Sequence, residues 1–177
     1  GVATDLSGNV YVVGGTKGKL AGASNSGRTD VFLIKYNSSG TKQWTKSLGS
    51  NENDLANGVT TDSSGNFYVT GFTYKYLEGN TSAGSSDLFV VKYNSSGTKK
   101  WTQQLGSSSR DHARGVATDS SGNVYVTGDT YGGVDGNTNA GYNDLFVVKY
   151  NSSGTKQWTK QFGTPSSDLA DGVATDS

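Results

Sequence analysis

The segment Asp135-Gly136-Asn137-Thr138-Asn139-Ala140-Gly141, with Asp144 just beyond it, is the most suggestive stretch of the chain for ligand chemistry. Oxygen-bearing side chains at alternate positions resemble the first half of a loop that wraps a hard cation, and calcium is the ion that such oxygens would suit. Asp135, Asn137, Asn139 and Asp144 are therefore the candidate metal ligands. Two departures weaken the pattern: the glycine follows Asn139 one residue late, and no bidentate glutamate closes the loop. The equivalent segments decay to Glu78, Asn80, Ser82 and Asp87, and then to Ala21, Ala23, Asn25 and Asp30. The bland alternative is a polar loop whose Asn and Gly simply make turns.

A second group is aromatic. Tyr74, Tyr76, Tyr131 and Tyr142 lie in long loops among Asp and Asn residues. Exposed tyrosine rings beside amides suit sugar or protein recognition, because ring faces stack and amides hydrogen-bond; otherwise the rings pack on their own module. His112 is the single histidine and occupies a position held elsewhere by Leu55 and Leu169, so it is assigned no role. The chain has no cysteine, which excludes disulfides, thiolate metal sites and cysteine catalysis. No phosphate-binding glycine loop or nucleophile elbow is present, and no two carboxylates stand out as a hydrolytic pair.

The elements that position these residues come in a strict repeat. Gly1, Gly58 and Gly115 open three copies of a 57-residue unit without insertion or deletion, and Trp44, Trp101 and Trp158 keep the phase. The second and third copies are identical at 39 of 57 positions. The units are 1–57, 58–114 and 115–171, and residues 172–177 begin a fourth as its first strand. Such a period marks modules that bury their faces against neighbours. In the second and third units, two Asx-Ser-Ser-Gly templates such as Asp62-Ser63-Ser64-Gly65 and Asn94-Ser95-Ser96-Gly97 close tight hairpins, with Asx capping the turn and Gly supplying positive φ. Between them, Leu145-Phe146-Val147-Val148-Lys149-Tyr150 reads as a middle strand buried on both faces, and Gln157–Phe162 alternates as an edge strand. The chain is all-β: four-stranded antiparallel modules, as in β-propeller blades. A β-solenoid competes, but its coils rarely hold two turn-closed hairpins each.

The strings Gly-Val-Ala-Thr-Asp-Ser-Ser-Gly-Asn-Val-Tyr-Val-Thr-Gly and Asp-Leu-Phe-Val-Val-Lys-Tyr-Asn-Ser-Ser-Gly-Thr-Lys-Gln-Trp in the third unit closely resemble the bacterial "seven-bladed β-propeller" repeat of large, mostly exported proteins. That resemblance implies blades and a secreted or cell-surface bacterial setting, and carries no catalytic activity with it.

Fifteen basic residues balance fifteen acidic ones, which argues against nucleic acid or an anionic membrane as partner. No apolar run approaches the roughly 18 residues needed to span a bilayer. The sequence lacks methionine, so it reads as a processed chain or a fragment. Propellers close with about four to eight blades. Three near-identical modules should therefore associate head to tail, as a six-bladed dimer or an open filament. The segment 172–177 could lend a strand to such a neighbour, or mark only an arbitrary boundary. The expected function is non-enzymatic, structural or adhesive, with self-assembly by blade packing; the alternative is a carbohydrate-binding propeller.

Overall fold

The computed structural model describes residues 1–20 and 23–176. Ala21, in the weakest copy of the oxygen pattern, and Ser177, at the end of the fourth-unit segment, lie outside them.

Three four-stranded antiparallel sheets follow one another along the chain, each with its strands in chain order. The first holds β1 (Val2–Thr4), β2 (Val10–Thr16), β3 (Asp30–Tyr36) and β4 (Lys42–Leu48). The second holds β5 (Asp54–Thr61), β6 (Phe67–Thr73), β7 (Asp87–Tyr93) and β8 (Lys99–Leu105). The third holds β9 (Asp111–Thr118), β10 (Val124–Thr130), β11 (Asp144–Tyr150) and β12 (Lys156–Phe162). One 3-10 turn, Val134–Gly136, interrupts the last long loop, and no α-helix occurs among the described residues.

The turn chemistry accounts for the hairpins. In Asp62–Asn66 the Gly65 amide donates to the Asp62 carbonyl at 3.0 Å and the Asp62 amide to the Asn66 carbonyl at 2.9 Å, with Gly65 at φ 76°. That is a type I turn closed by a G1 bulge. The Asp62 carboxylate also accepts from the Ser64 and Asn66 amides and from the Tyr68 hydroxyl, at 3.0, 2.9 and 2.9 Å. Asp5 and Asp119 repeat this pattern with Tyr11 and Tyr125.

Two features differ from the sequence expectation. β5 and β9 begin at Asp54 and Asp111, ahead of Gly58 and Gly115, and a bulge sits between the two parts of each strand. The third strand of a sheet is buried on both faces only in the central sheet: β7 is buried almost throughout, whereas β3 and β11 alternate. Burial on both faces needs a sheet on each side, and only β7 has two.

The core lies between sheets. Tyr11, Phe67, Val69, Phe89 and Tyr93 join the first sheet to the second, and Tyr68, Val90, Val126, Phe146 and Tyr150 join the second to the third. Each such buried side chain contributes about 1.5–3 kcal/mol. The first strands form a ladder at the narrow edge: Thr61 Oγ1 donates to the Thr4 carbonyl at 2.8 Å, and Thr118 Oγ1 to the Thr61 carbonyl at 3.1 Å.

Residues 172–176 form no strand of their own, because a first strand here pairs with a second one from its own unit. They nevertheless follow the same course. Thr175 Oγ1 donates to the Thr118 carbonyl at 2.8 Å, and the Asp168 amide to the Asn143 carbonyl at 2.8 Å, just as the Asp54 and Asp111 amides reach Thr29 and Ser86.

Candidate binding cleft between the second and third sheets

The junction between these sheets is built on a pair of buried aspartates. Asp87, at the start of β7, accepts from the Ala83 amide and the Gln104 side chain through Oδ2, both at 2.8 Å, and its Oδ1 has no partner. Asp111, at the start of β9, takes the Ser107 amide at 2.6 Å, the Ser107 hydroxyl and the Thr130 hydroxyl. Burial pushes the Asp111 carboxyl up, Ser107 and Thr130 oppose it, and the nearby Asp87 charge raises it further. Asp30 with Asp54 repeats the arrangement one junction earlier. Asp30, Asp87 and Asp144 each cap the loop before their strand, accepting from the Ser26, Ala83 and Ala140 amides.

Backbone bonds from the Arg28 and Ser85 amides to the Glu52 and Ser109 carbonyls tie these long loops to the links between sheets. A Cβ on Gly84 would stand 2.3 Å from the Ser107 carbonyl oxygen, so that contact admits only glycine. Above the contact opens a cleft of about 400 Å³, lined by Ser85, Ser108, Ser109, Arg110, Tyr131 and Tyr142. The Tyr131 and Tyr142 rings meet edge to face, centroids 5.3 Å apart at 69°. The Arg110 guanidinium stands 5.8 Å from the Tyr131 ring centroid. Arg110 is exposed and has no ion pair among the described residues, and 66 % of the Tyr142 surface is open.

Of the four sequence-predicted tyrosines, the structure thus brings Tyr131 and Tyr142 together. Tyr74 instead packs edge-on against Phe72 at 5.9 Å. Tyr76 lies under the Lys75 ammonium in a separate cleft of about 340 Å³ with Gly49, Asn51 and Glu78.

The oxygens of the calcium-type loop are largely spent on the protein. Asp135 ion-pairs with Lys156, and the Asn137 amide donates to the Val134 carbonyl at 2.8 Å. Asn139 Oδ1 accepts from the Gly141 amide at 2.8 Å, and Asp144 Oδ2 from Ala140 and Gln161 at 2.9 Å each. Asp144 Oδ1 alone is buried without a partner. Among the described residues no group of three or more His, Asp or Glu side chains converges as a metal site.

One arrangement has no counterpart in the sequence reading. His112 Nε2 lies 3.0 Å from Ser86 Oγ, its ring stacks on Phe72 at 4.0 Å, and Asp129 faces it across the β9–β10 pairing. Burial lowers the His112 pKa. Ser86 is fully buried and Asp129 is held by Arg114, so this group has neither an accessible nucleophile nor a free carboxylate to orient the ring. The parallel bridge between Ser86 and Arg110, far apart in sequence, is what brings Ser86 to His112.

The architecture agrees with comparison to known proteins. A family model described as "Beta-propeller repeat" matches residues 43–74 and 100–134. Both segments resemble beta-propeller repeats. Each runs from the last strand of one blade through the first two strands of the next, so the recognised unit spans a blade junction. The chain is also similar to the regulatory protein FlaEY of Caulobacter vibrioides, 27 % identical over 187 residues, covering 93 % of this chain and 20 % of that protein. A second relative is the uncharacterized WD repeat-containing protein L264 of Acanthamoeba polyphaga mimivirus, 29 % identical over 167 residues, covering 78 % of this chain and 12 % of that protein. The chain therefore spans about a fifth and about an eighth of the length of these relatives.

Proposed function

We propose that this chain is a non-catalytic propeller segment that assembles by adding blades face to face, and that in the 177-residue chain the outer face of the third blade takes the outer face of the first blade of a second copy. A single observation carries this reading: the junction contacts recur at a constant offset. Lys35 Nζ donates to the Ser95 carbonyl at 3.0 Å, and Lys92 Nζ to the Ser152 carbonyl at 3.1 Å. Trp44 lies over Gly97 and Trp101 over Gly154. Phe67 stacks on Tyr93 at 5.0 Å below Tyr11 and Trp44, and Tyr150 lies beside Trp101 at 6.4 Å.

The third blade presents the same donor set to solvent. Lys149 sits over Tyr125, Trp158 is 38 % exposed, and Phe162 is 57 % exposed. The first blade presents the matching acceptors: Gly40, with nothing within 4 Å of its added Cβ, the Ser38 carbonyl beside it, and half-buried Tyr36. The contact is heterologous, so it closes as a six-bladed dimer where the rotation permits and otherwise extends as a filament. A regulatory protein and a WD repeat-containing protein among the relatives agree with a non-enzymatic role. A secreted or cell-surface setting is part of the same reading, supported by the cysteine-free, Asn/Ser/Thr-rich composition.

Light scattering on the purified chain tests the assembly. The expected result is a mass twice the monomer's, or one that grows with concentration, reduced to the monomer's by Trp158→Ala and by Tyr36→Ala. A folded monomer at all concentrations would overturn it.

A further inference from the structure

We infer that the cleft between the second and third blades binds a carboxylate-bearing sugar. This does not rest on the assembly reading, because every wall of the cleft belongs to one chain.

Arg28, Ser85 and Tyr142 occupy one repeat position, Asn53 and Arg110 a second, Tyr74 and Tyr131 a third. At the first junction the cation, Arg28, has a carboxylate of its own, with Nε 3.8 Å from Glu52. Ser109 replaces that glutamate at the second junction, and the cation moves to Arg110, on the opposite wall. The result is an unneutralised guanidinium beside two tyrosine faces set at a steep angle, with three serines completing the walls.

Each part selects for one feature of a ligand. A guanidinium with free N–H groups recognises a carboxylate through paired, charge-assisted hydrogen bonds. Tyrosine faces take a flat, partly apolar ring, and serine hydroxyls pair with other hydroxyls. A volume of about 400 Å³ lies in the range of small-ligand sites, with room for one or two sugar rings. An acidic peptide fits less well: the cleft offers one cation, and neither an open strand edge nor an apolar groove. Arg110 makes no ion pair among the described residues, and the adjacent Asp111 carboxylate is buried and taken up by Ser107 and Thr130. Arg114 pairs with Asp129 and Asp171, and burial lowers the His112 pKa, with Asp129 opposing and both arginines adding to the shift.

The test is a titration of the whole chain with a trisaccharide of galacturonic acid, followed by calorimetry and by amide chemical shifts. Saturable binding is expected, with shifts centred on Ser85, Ser108, Arg110 and Tyr142. Arg110→Gln should weaken it about 10-fold or more, and Tyr142→Ala several-fold. Both side chains are exposed, so the variants should unfold at the parental temperature. Arg28→Gln, at the first junction, should change nothing. Affinity should fall with added salt. A neutral galactose trisaccharide binding as tightly would overturn the proposal, as would saturation by acetate alone at equal affinity, shifts mapping elsewhere, or no binding.

Discussion

The indole of Trp101 rests on Gly154 of the following blade, and a Cβ on that glycine would stand 2.8 Å from the ring. The contact ties two chemistries together. Gly154 is needed for the φ of 86° that closes its hairpin, and the same absence of a side chain admits the neighbouring tryptophan. The turn and the blade junction therefore depend on one residue.

This separates two costs that a single glycine substitution usually confounds. Gly40 closes the equivalent hairpin of the first blade at φ 79°, with nothing in contact. In a Trp158→Ala background, where no partner indole covers the hairpin, Gly40→Ala should cost about 1 kcal/mol, the strain of a left-handed alanine. Gly154→Ala should cost about 2–4 kcal/mol, because the methyl group also displaces the indole. Urea unfolding of both variants checks this, and equal losses would show that the indole yields freely.

The paired aspartates make stability depend on pH in an unusual sense. Burial raises the Asp111 carboxyl above the ordinary aspartate value of about 3.9. A carboxyl raised on folding binds its proton more tightly in the native state. Its contribution is then fully present below the ordinary value and is lost as pH rises through the folded one. The charge of Asp87, whose Oδ1 is buried without a partner, adds to the cost of ionising Asp111. Asp87→Asn should therefore be neutral or stabilising at pH 7, by about 1 kcal/mol, and should flatten the fall of stability as pH rises above the ordinary aspartate value. Thermal unfolding across that range reads the effect; a loss of several kcal/mol at pH 7 would mean that the pair holds something other than a strained charge.

Much of this architecture was legible because its causes are local. The Asx-Ser-Ser-Gly turns fix hairpins from four residues, and strand alternation is read along one segment. The cleft was legible only in part. Tyr131 and Tyr142 could be singled out as loop aromatics, but their contact depends on how a glycine-rich loop folds back, which no periodicity records. Arg110 gave no signal alone; comparing it with Asn53 and Ser167 at the same repeat position was the available clue. Asp111 was readable in the same way, since Asp54, Asp111 and Asp168 recur in phase with Asp30, Asp87 and Asp144. The Ser86–His112 contact arises from a parallel bridge between units, so nothing in the spacing of either residue announces it.

Calcium provides the last test, and it turns on how the loop from Asp135 to Asp144 spends its oxygens. A calcium site needs six to eight oxygens free to turn toward the ion. Here Asp135 faces the Lys156 ammonium, Asn139 caps the Gly141 amide, and Asp144 Oδ2 caps Ala140. Binding would have to break these bonds, including an ion pair and the buried cap that holds β11. Millimolar calcium should therefore leave the unfolding temperature within about 1 °C of its value in EDTA, since a ligand that binds the native state well above its Kd raises it measurably. Lys156→Ala is the sharper experiment. It frees the Asp135 carboxylate without touching the cap. If calcium then stabilises the variant but not the parent, the ammonium is occupying the place of an ion; if neither responds, the oxygens serve the turn alone.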